Sequence, residues 1–202
     1  MDEAFSDDPG VQLMKAFQAG SEPAFDRLVE AYSGQVYALF TRFLGRVAER
    51  EDMVQEVFLR VLRSRDRYVP TARFSTYLYR VAFNLAVNHT ERDRGERSLD
   101  ARLAEGGPSE FESAISANSS SPDDDPARHL ETDDVVRAVR ESIASLPESQ
   151  RMALILAKYE ELSFAEIAEV LGSSEKAIKS LVHRARESLR ERLKPYLERE
   201  LA

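Results

Sequence analysis

Apolar residues return at intervals of three and four along most of this chain, the spacing that lines one face of an α-helix. In "SEPAFDRLVEAYSGQVYALFTRFLG" the stripe is Phe25, Leu28, Val29, Tyr32, Val36, Leu39, Phe40 and Phe43. Ser21 stands where an N-cap belongs, and Pro23 falls in the first turn, where no intrahelical N–H is needed. The preceding "VQLMKAFQAG" follows Pro9 and stops at Gly20, which predicts a shorter helix. "AEREDMVQEVFLRVLRSRDRY" repeats the stripe with Met53, Val54, Val57, Phe58, Val61 and Leu62. Pro70 in "YVPTARF" interrupts it. "STYLYRVAFNLAVNHTERDR" resumes it, with Ser75 as candidate cap and Leu78, Val81, Ala82, Leu85 and Ala86 inward.

Periodicity then fails. "EGGPSEFESAISANSSSPDDDP", Glu105–Pro126, is Gly-, Ser-, Pro- and acid-rich and lacks the apolar surface needed to offset chain entropy. It predicts a flexible acidic linker over 99–130, joining a domain at 1–98 to one at 131–202. Beyond it the helical pattern returns from about Glu131 to Ser145. "LPESQRMALILAKYEEL" places Pro147 near a first turn, and Ser163 with Glu166 has capping-box spacing. A last helix is expected from about Ser174 to near Pro195. The fold class is all-α: two small helical domains, the second containing a helix-turn-helix.

Composition narrows the chemistry. With no cysteine there is no disulfide, thiolate metal site or cysteine nucleophile. His89, His129 and His183 are far apart and form no metal-ligating pair, so no metal or cofactor is expected. The start, "MDEAFSDDPG", is acidic where a signal peptide would be basic, and no apolar run nears the roughly 20 residues that span a bilayer. A soluble cytoplasmic protein without membrane insertion is the expectation.

The formal net charge of −8 hides a strong unevenness. Acids crowd the segment from Asp100 to Asp134. Arginines gather at Arg60, Arg63, Arg65, Arg67, Arg73 and Arg80, and again with lysines from Lys176 to Lys194. The second basic group lies in "FAEIAEVLGSSEKAIKSLVHRAR", where small Ala168 precedes Gly172 by four residues, as in a helix-turn-helix. Ile178, Leu181, Val182, Ala185, Leu189 and Leu193 then share one arc of the last helix. Lys176, Lys179, Ser180, His183 and Arg184 occupy the opposite arc, with Ser174 and Arg186 at its ends. A DNA-reading helix needs this division, one face packed and one bearing donors. The competing reading is a solvated charged face on an ordinary packed helix.

In the N-terminal domain, Asp52, Gln55, Glu56 and Arg60 share an edge of an amphipathic helix, with Arg63 displaced around it. "RYVPTARFSTYLYRVAFNLAVNHTERDRG" interleaves arginines with Tyr68, Phe74, Tyr77, Tyr79 and Phe83. Arginines attract phosphate and aromatics offer faces to unstacked bases, a combination suited to single-stranded DNA. The alternative places these aromatics in the core, and Tyr79 and Phe83 fit either.

Taken in order, "EDMVQEVFLRVLR", "FSTYLYRVAFNLAVNH" and "LPESQRMALILAKYEELSFAEIAEVLGSSEKAIKSLVHRARESL" resemble the extracytoplasmic-function branch of the bacterial sigma-70 family, over Val11 to about Arg97 and Val135 to about Leu193. The resemblance implies a promoter-specificity subunit with no catalytic site. Its implied partners are core RNA polymerase, through the clamp helices of the largest subunit and the flap of the second-largest, and promoter DNA. An anti-sigma factor is a further partner common in the family, though no residue here specifies one. By position, Asp52, Gln55, Glu56, Arg60 and Arg63 would face the clamp helices. Arg67, Tyr68, Arg73, Phe74, Tyr77, Arg80, Asn84 and Asn88 would meet the −10 strand, the loop Tyr68–Arg73 capturing a flipped base. Ser174, Lys176, Lys179, Ser180, His183, Arg184 and Arg186 would read the −35 element. The sequence departs from the family where Asn88 replaces a frequent Asp, and where Lys179 and Leu181 replace arginines. Lysine lacks the bidentate fork for guanine, so these changes bear on which −35 sequence is read rather than on docking.

Two rival functions remain at this level. A stand-alone helix-turn-helix regulator would need an effector pocket or dimer surface, and neither is evident. A nuclease or helical hydrolase would need a carboxylate cluster, metal set or Ser/His pair, none of which the sequence offers.

Overall fold

The computed structural model describes residues 5–45, 48–103 and 126–200, with the backbone alone for 93–103, 126–134 and 197–200. Eight α-helices are present among the described residues: α1 Pro9–Gln18, α2 Glu22–Leu44, α3 Arg50–Arg63, α4 Phe74–Leu103, α5 Pro126–Ala144, α6 Glu148–Tyr159, α7 Phe164–Leu171 and α8 Glu175–Glu200. A short 3-10 turn at Arg65–Arg67 leads from α3 to the loop before α4. No strand occurs among the described residues.

Helices α1–α4 bury the stripes that the sequence marks. Val11, Met14, Phe17, Leu28, Val36, Leu39, Phe40, Val57, Val61, Leu78, Ala82 and Ala86 are all completely inaccessible. Leu62 is an exception: it is 38% exposed, because α3 offers Val61 to the core and turns its neighbour outward. Gly10 sets how closely α1 can approach. A Cβ there would lie 2.5 Å from the Tyr32 hydroxyl and 2.6 Å from Phe74 Cβ.

The expected boundaries hold in part. Ser21 occupies the N-cap position of α2, but its side chain makes no capping bond. Ser75 does not cap α4, which already begins at Phe74. The cap comes instead from Asp8, whose Oδ1 accepts from Val11 N at 2.8 Å, starting α1, and from Phe74 N at 3.4 Å, starting α4. α8 does not end near Pro195 but continues through it to Glu200. The expected linker is also shorter at both ends, since α4 runs to Leu103 and α5 starts at Pro126. Its remainder, 104–125, lies outside the described residues.

In the C-terminal unit, α6, α7 and α8 pack on one another with α5 against α8. Ser163 and Glu166 form the expected capping box at the start of α7. Gly172 ends α7 at φ 60°, and Ser173 N donates to Ala168 O at 2.9 Å. That left-handed turn, easy for glycine, swings the chain into α8. The larger apolar cluster is not confined to one unit, and a small second one holds Leu146, Leu154 and Ala185. One continuous cluster runs from α1–α4 into Met152, Ile155, Leu156, Ile167, Val170, Ile178 and Val182.

Candidate nucleic-acid interface

The packing of α8 decides what its other face can do. Ile178, Val182 and Ala185 are buried against α6 and α7, with Leu181 and Leu189 half-buried beside them. Ser174, Lys176, Lys179, Ser180, His183, Arg184 and Arg186 are consequently all exposed, on the arc that the sequence assigns them. Ser174 has a further task as N-cap, its Oγ accepting from Ala177 N at 3.2 Å. Lys179 pairs with Glu175 at 2.7 Å and lies over the Phe164 ring, with its side chain still 58% exposed. A solvent-screened pair of this kind contributes less than about 1 kcal/mol, so Lys179 can be exchanged onto a phosphate or base edge at little cost.

The loop between α3 and α4 is pinned at both ends. Gln18 Nε2 donates to Arg65 O at 2.7 Å and to Tyr68 O at 2.9 Å, fixing its start. Asp8 fixes its end through Phe74 N. Ser64 Oγ and the Tyr77 hydroxyl lie 2.6 Å apart and tie α3 to α4. Between these anchors Val69 projects into solvent, 66% exposed. Arg67 and Arg73 are exposed on either side, and Arg80, Asn84 and Asn88 continue along the outer face of α4. Arg80 sits over the half-buried Tyr77 ring.

Phe74 does not join that surface. Its ring is fully buried among Tyr32, Tyr68 and Tyr77, so it has no face for a base and serves to seat the loop. Tyr79 also belongs to the interior, and Phe83 is half-buried against Phe43. Tyr68 is intermediate in character. Its ring is buried, yet its hydroxyl and Thr76 Oγ1 have no hydrogen-bond partner among the described residues. Both residues line a cavity of about 10 Å³ with Tyr77, Arg80 and Glu169. Burial, with smaller help from Asp8, pushes the Tyr68 hydroxyl well above the ordinary tyrosine range, so it remains a neutral donor.

On α3, Asp52, Gln55 and Arg63 are exposed and Glu56 and Arg60 half-buried. Arg60 Nε bonds Glu56 at 2.9 Å and Arg63 approaches it at 3.6 Å. The Arg60 hydrogen bond holds the Glu56 carboxyl below its usual range. Beside this edge, Phe25, Val29, Tyr37, Val54, Phe58 and Leu59 line an open groove of about 670 Å³ between α2 and α3. Tyr37 and Leu59 are both more than 40% exposed there.

A set of contacts between the two units was absent from the sequence reading. Glu160, just after α6, accepts from Arg42 at 3.0 Å and from the Tyr79 hydroxyl, which also donates to Gln35. Arg42 stacks over the Tyr159 ring. Arg151 Nη1 donates to Phe43 O at 2.8 Å, and Thr90 Oγ1 donates to Glu148 at 2.9 Å. Arg73 reaches Glu166 at 3.6 Å. Burial first, then the Glu160 hydrogen bond and charge, drives the Tyr79 hydroxyl far above its ordinary range. Nothing in "KYEEL" distinguishes Glu160 from a solvated acid. Asp8 before Pro9 did carry a local cap signal.

No group of three or more His, Asp or Glu able to hold a metal ion occurs among the described residues. No described helix is long and apolar enough to cross a membrane.

Family models match two segments, "Sigma-70 region 2" at residues 28–96 and "Sigma-70, region 4" at 137–189. The ECF RNA polymerase sigma factor SigW of Bacillus subtilis is 32% identical over 90% of this chain and 95% of its own. The RNA polymerase sigma-H factor of Pseudomonas aeruginosa is 33% identical over 92% and 94%, and the ECF sigma-E factor of Escherichia coli K12 is 31% identical over 93% and 95%. Among solved structures, CnrH in complex with the cytosolic domain of CnrY superposes with a TM-score of 0.64 at 24% identity, over 93% of this chain and 99% of that one. The sigma factor RpoE of Bartonella quintana, in complex with the anti-sigma factor NepR, gives 0.63 at 20%, over 84% and 96%. These two likenesses concern the fold.

Proposed function

This chain belongs to the extracytoplasmic-function sigma factors of the sigma-70 family, and from that premise we propose how its two helical units divide promoter selection between them. Its activity is that of an RNA polymerase sigma factor. Membership over nine-tenths of the chain leaves the stand-alone regulator without support. In our reading the chain acts with core polymerase and carries no catalytic group of its own.

The C-terminal unit, 131–202, holds duplex −35 DNA. Ser174, Lys176, Lys179, Ser180, His183, Arg184 and Arg186 present donors to phosphates and base edges in the major groove, with α7 and the Gly172 turn setting the entry of α8. The N-terminal unit, 1–98, meets the −10 region. Arg67, Arg73 and Arg80 attract the backbone of the non-template strand, while Tyr68, Tyr77, Asn84 and Asn88 contact its bases. Each unstacked base costs a few kcal/mol, which contacts within the loop and to polymerase offset. Asp52, Gln55, Glu56, Arg60 and Arg63 dock on the clamp helices of the largest subunit, and the C-terminal unit also meets the flap of the second-largest. The segment joining the units makes the second DNA contact local once the first has formed. An anti-sigma factor is a further partner in this reading, in keeping with the complex named for the Bartonella relative.

The observation that supports this assignment best is the exposed cationic arc on α8 above a buried apolar arc. Sequencing transcripts made in vitro by core polymerase, with and without this protein, tests it. A new set of start sites sharing −35 and −10 elements is expected. An unchanged transcript set would overturn the proposal.

A further inference from the structure

Helix α1 carries none of the residues that our reading gives to DNA or polymerase, and it lies outside residues 28–96, the segment matched to sigma-70 region 2. It nevertheless holds both ends of the loop before α4. At its N-cap, Asp8 Oδ1 accepts from Phe74 N at 3.4 Å, and also from Val11 N in α1 itself. At its last residue, Gln18 Nε2 donates to Arg65 O at 2.7 Å and to Tyr68 O at 2.9 Å. Facing two carbonyl oxygens, this amide can present only its NH2 end, and both N–H groups are used there. Around it, Arg65 lies over the Phe17 ring and its Nη1 donates to Glu22 at 3.2 Å. The helical rise puts Asp8 and Gln18 about 15 Å apart. One rigid rod therefore fixes the spacing of the loop's two ends.

We propose that α1 is a splint for the −10 loop, and that Gln18 is a positioning residue for strand capture, acting through the backbone of Arg65 and Tyr68. Between the anchors the chain has little to shape it. Thr71 N donates to Val69 O at 2.9 Å, and Val69, Thr71 and Arg73 are exposed. A free loop must be ordered when it binds, which subtracts from affinity, and a loop fixed beforehand avoids that cost. Gln18 sets where Tyr68 leaves the 3-10 turn at Arg65–Arg67. It thereby sets where Val69 and the guanidinium groups of Arg67 and Arg73 stand relative to one another. Asp8 shares the task but also starts α1, whereas both Gln18 bonds go to the loop. The docking edge of α3 and the cationic arc of α8 lie on regular helices, so their form does not depend on Gln18.

This inference rests on the −10 assignment, and its test separates the two. Gln18→Met keeps the length of the side chain and removes both donors. In the free protein, hydrogen exchange at the Tyr68 and Thr71 amides should quicken about tenfold, the scale of two lost neutral hydrogen bonds, while amides within α3 keep their rates. In holoenzyme with core polymerase, affinity should fall about tenfold for a single-stranded oligonucleotide of the non-template −10 element, taken from the sequenced start sites. Affinity for core polymerase and for duplex −35 DNA should not change, a split that a general loss of stability does not produce. Unchanged exchange in the loop would overturn the splint. Faster exchange in α3 as well, or equal losses on all three ligands, would make Gln18 merely structural and overturn its positioning role. Arg67→Ala with Arg73→Ala, measured on the same oligonucleotide, tells the two readings apart. If that pair lowers strand affinity and Gln18→Met does not, the positioning role fails alone. If neither lowers it, the −10 assignment has failed and the positioning role with it.

Discussion

The cationic face of α8 and the loop before α4, the two surfaces that our reading gives to DNA, are built in different ways. The recognition arc is complete and open, since reading a duplex requires only donors held at fixed positions on a packed helix. The loop is pinned at both ends with Val69 66% exposed between them, while Tyr68 and Thr76 behind it line a cavity with room for no more than one water. On this reading a surface for a duplex needs only rigidly held donors, whereas one for unstacked bases must also offset a few kcal/mol for each base.

The largest expected effect falls on the open side. Lys179→Ala with Arg184→Ala should cost about 1–3 kcal/mol per contact and cut −35-dependent transcription by more than tenfold. Promoters that work without a −35 element should change little. Equal activity on both promoter classes would show that this arc is merely solvated. Next come two glycines, one in each unit. Gly10→Ala forces a Cβ into Tyr32 and Phe74 and should destabilise by about 1–3 kcal/mol. Gly172→Ala has open space around it but must hold φ 60°, and should cost about 1 kcal/mol. If the continuous core makes one cooperative unit, both lower the same calorimetric transition. Two transitions, each answering to its own glycine, would mean that the two units unfold separately despite the shared cluster.

A smaller effect belongs to the docking edge. Glu56→Lys places a third cation beside Arg60 and Arg63, and should weaken pull-down of core polymerase about tenfold while leaving binding to duplex DNA alone unchanged. Retained polymerase binding would move the docking surface elsewhere. The smallest effect is a pH dependence. Tyr79 titrates higher when folded than its unfolded value of 10.0, so its contribution is fully present below that pH. Above it the unfolded chain loses a proton that the folded chain keeps, and stability falls as pH rises. Wild-type protein should lose more stability than Tyr79→Phe between about pH 9 and 11 in denaturant titrations, and parallel curves would mean that the bond from Tyr79 to Glu160 adds nothing to stability.

Local signals carried far in the sequence. The three-and-four spacing located α2, α3, α4 and α8, Pro9 with Gly20 located α1, and Ala168, Gly172 and the Ser163–Glu166 box located the turn, because each acts within a few residues of itself. What failed was long-range. Ser75 was the nearest cap for α4, but the cap came from Asp8 at the other end of the unit. Phe74 looked like a stacking platform because arginines flanked it. Its four-residue step to Leu78 already put it on the buried stripe, a signal outweighed by composition. The contacts of Glu160 could not be read at all, since Glu160 and Arg42 look like surface charges until tertiary packing brings them together. For the same reason the two helical units could be expected from the break in periodicity, but the apolar cluster that runs from one into the other could not.

The bond from Asp8 to Phe74 has a consequence in time. A growing chain releases Asp8 first, so the cap for α4 is waiting when Phe74 emerges, and α1–α4 can close once Leu103 has cleared the ribosome. Glu160, Glu166 and Glu169 are synthesised only afterwards, a matter of seconds later at ordinary rates of translation. During that interval the N-terminal unit stands without the contacts that Glu160 and Glu166 later make to Arg42, Tyr79 and Arg73. A nascent chain thus passes through a stage in which α1–α4 must hold together before Met152, Ile155 and Leu156 have joined their apolar cluster.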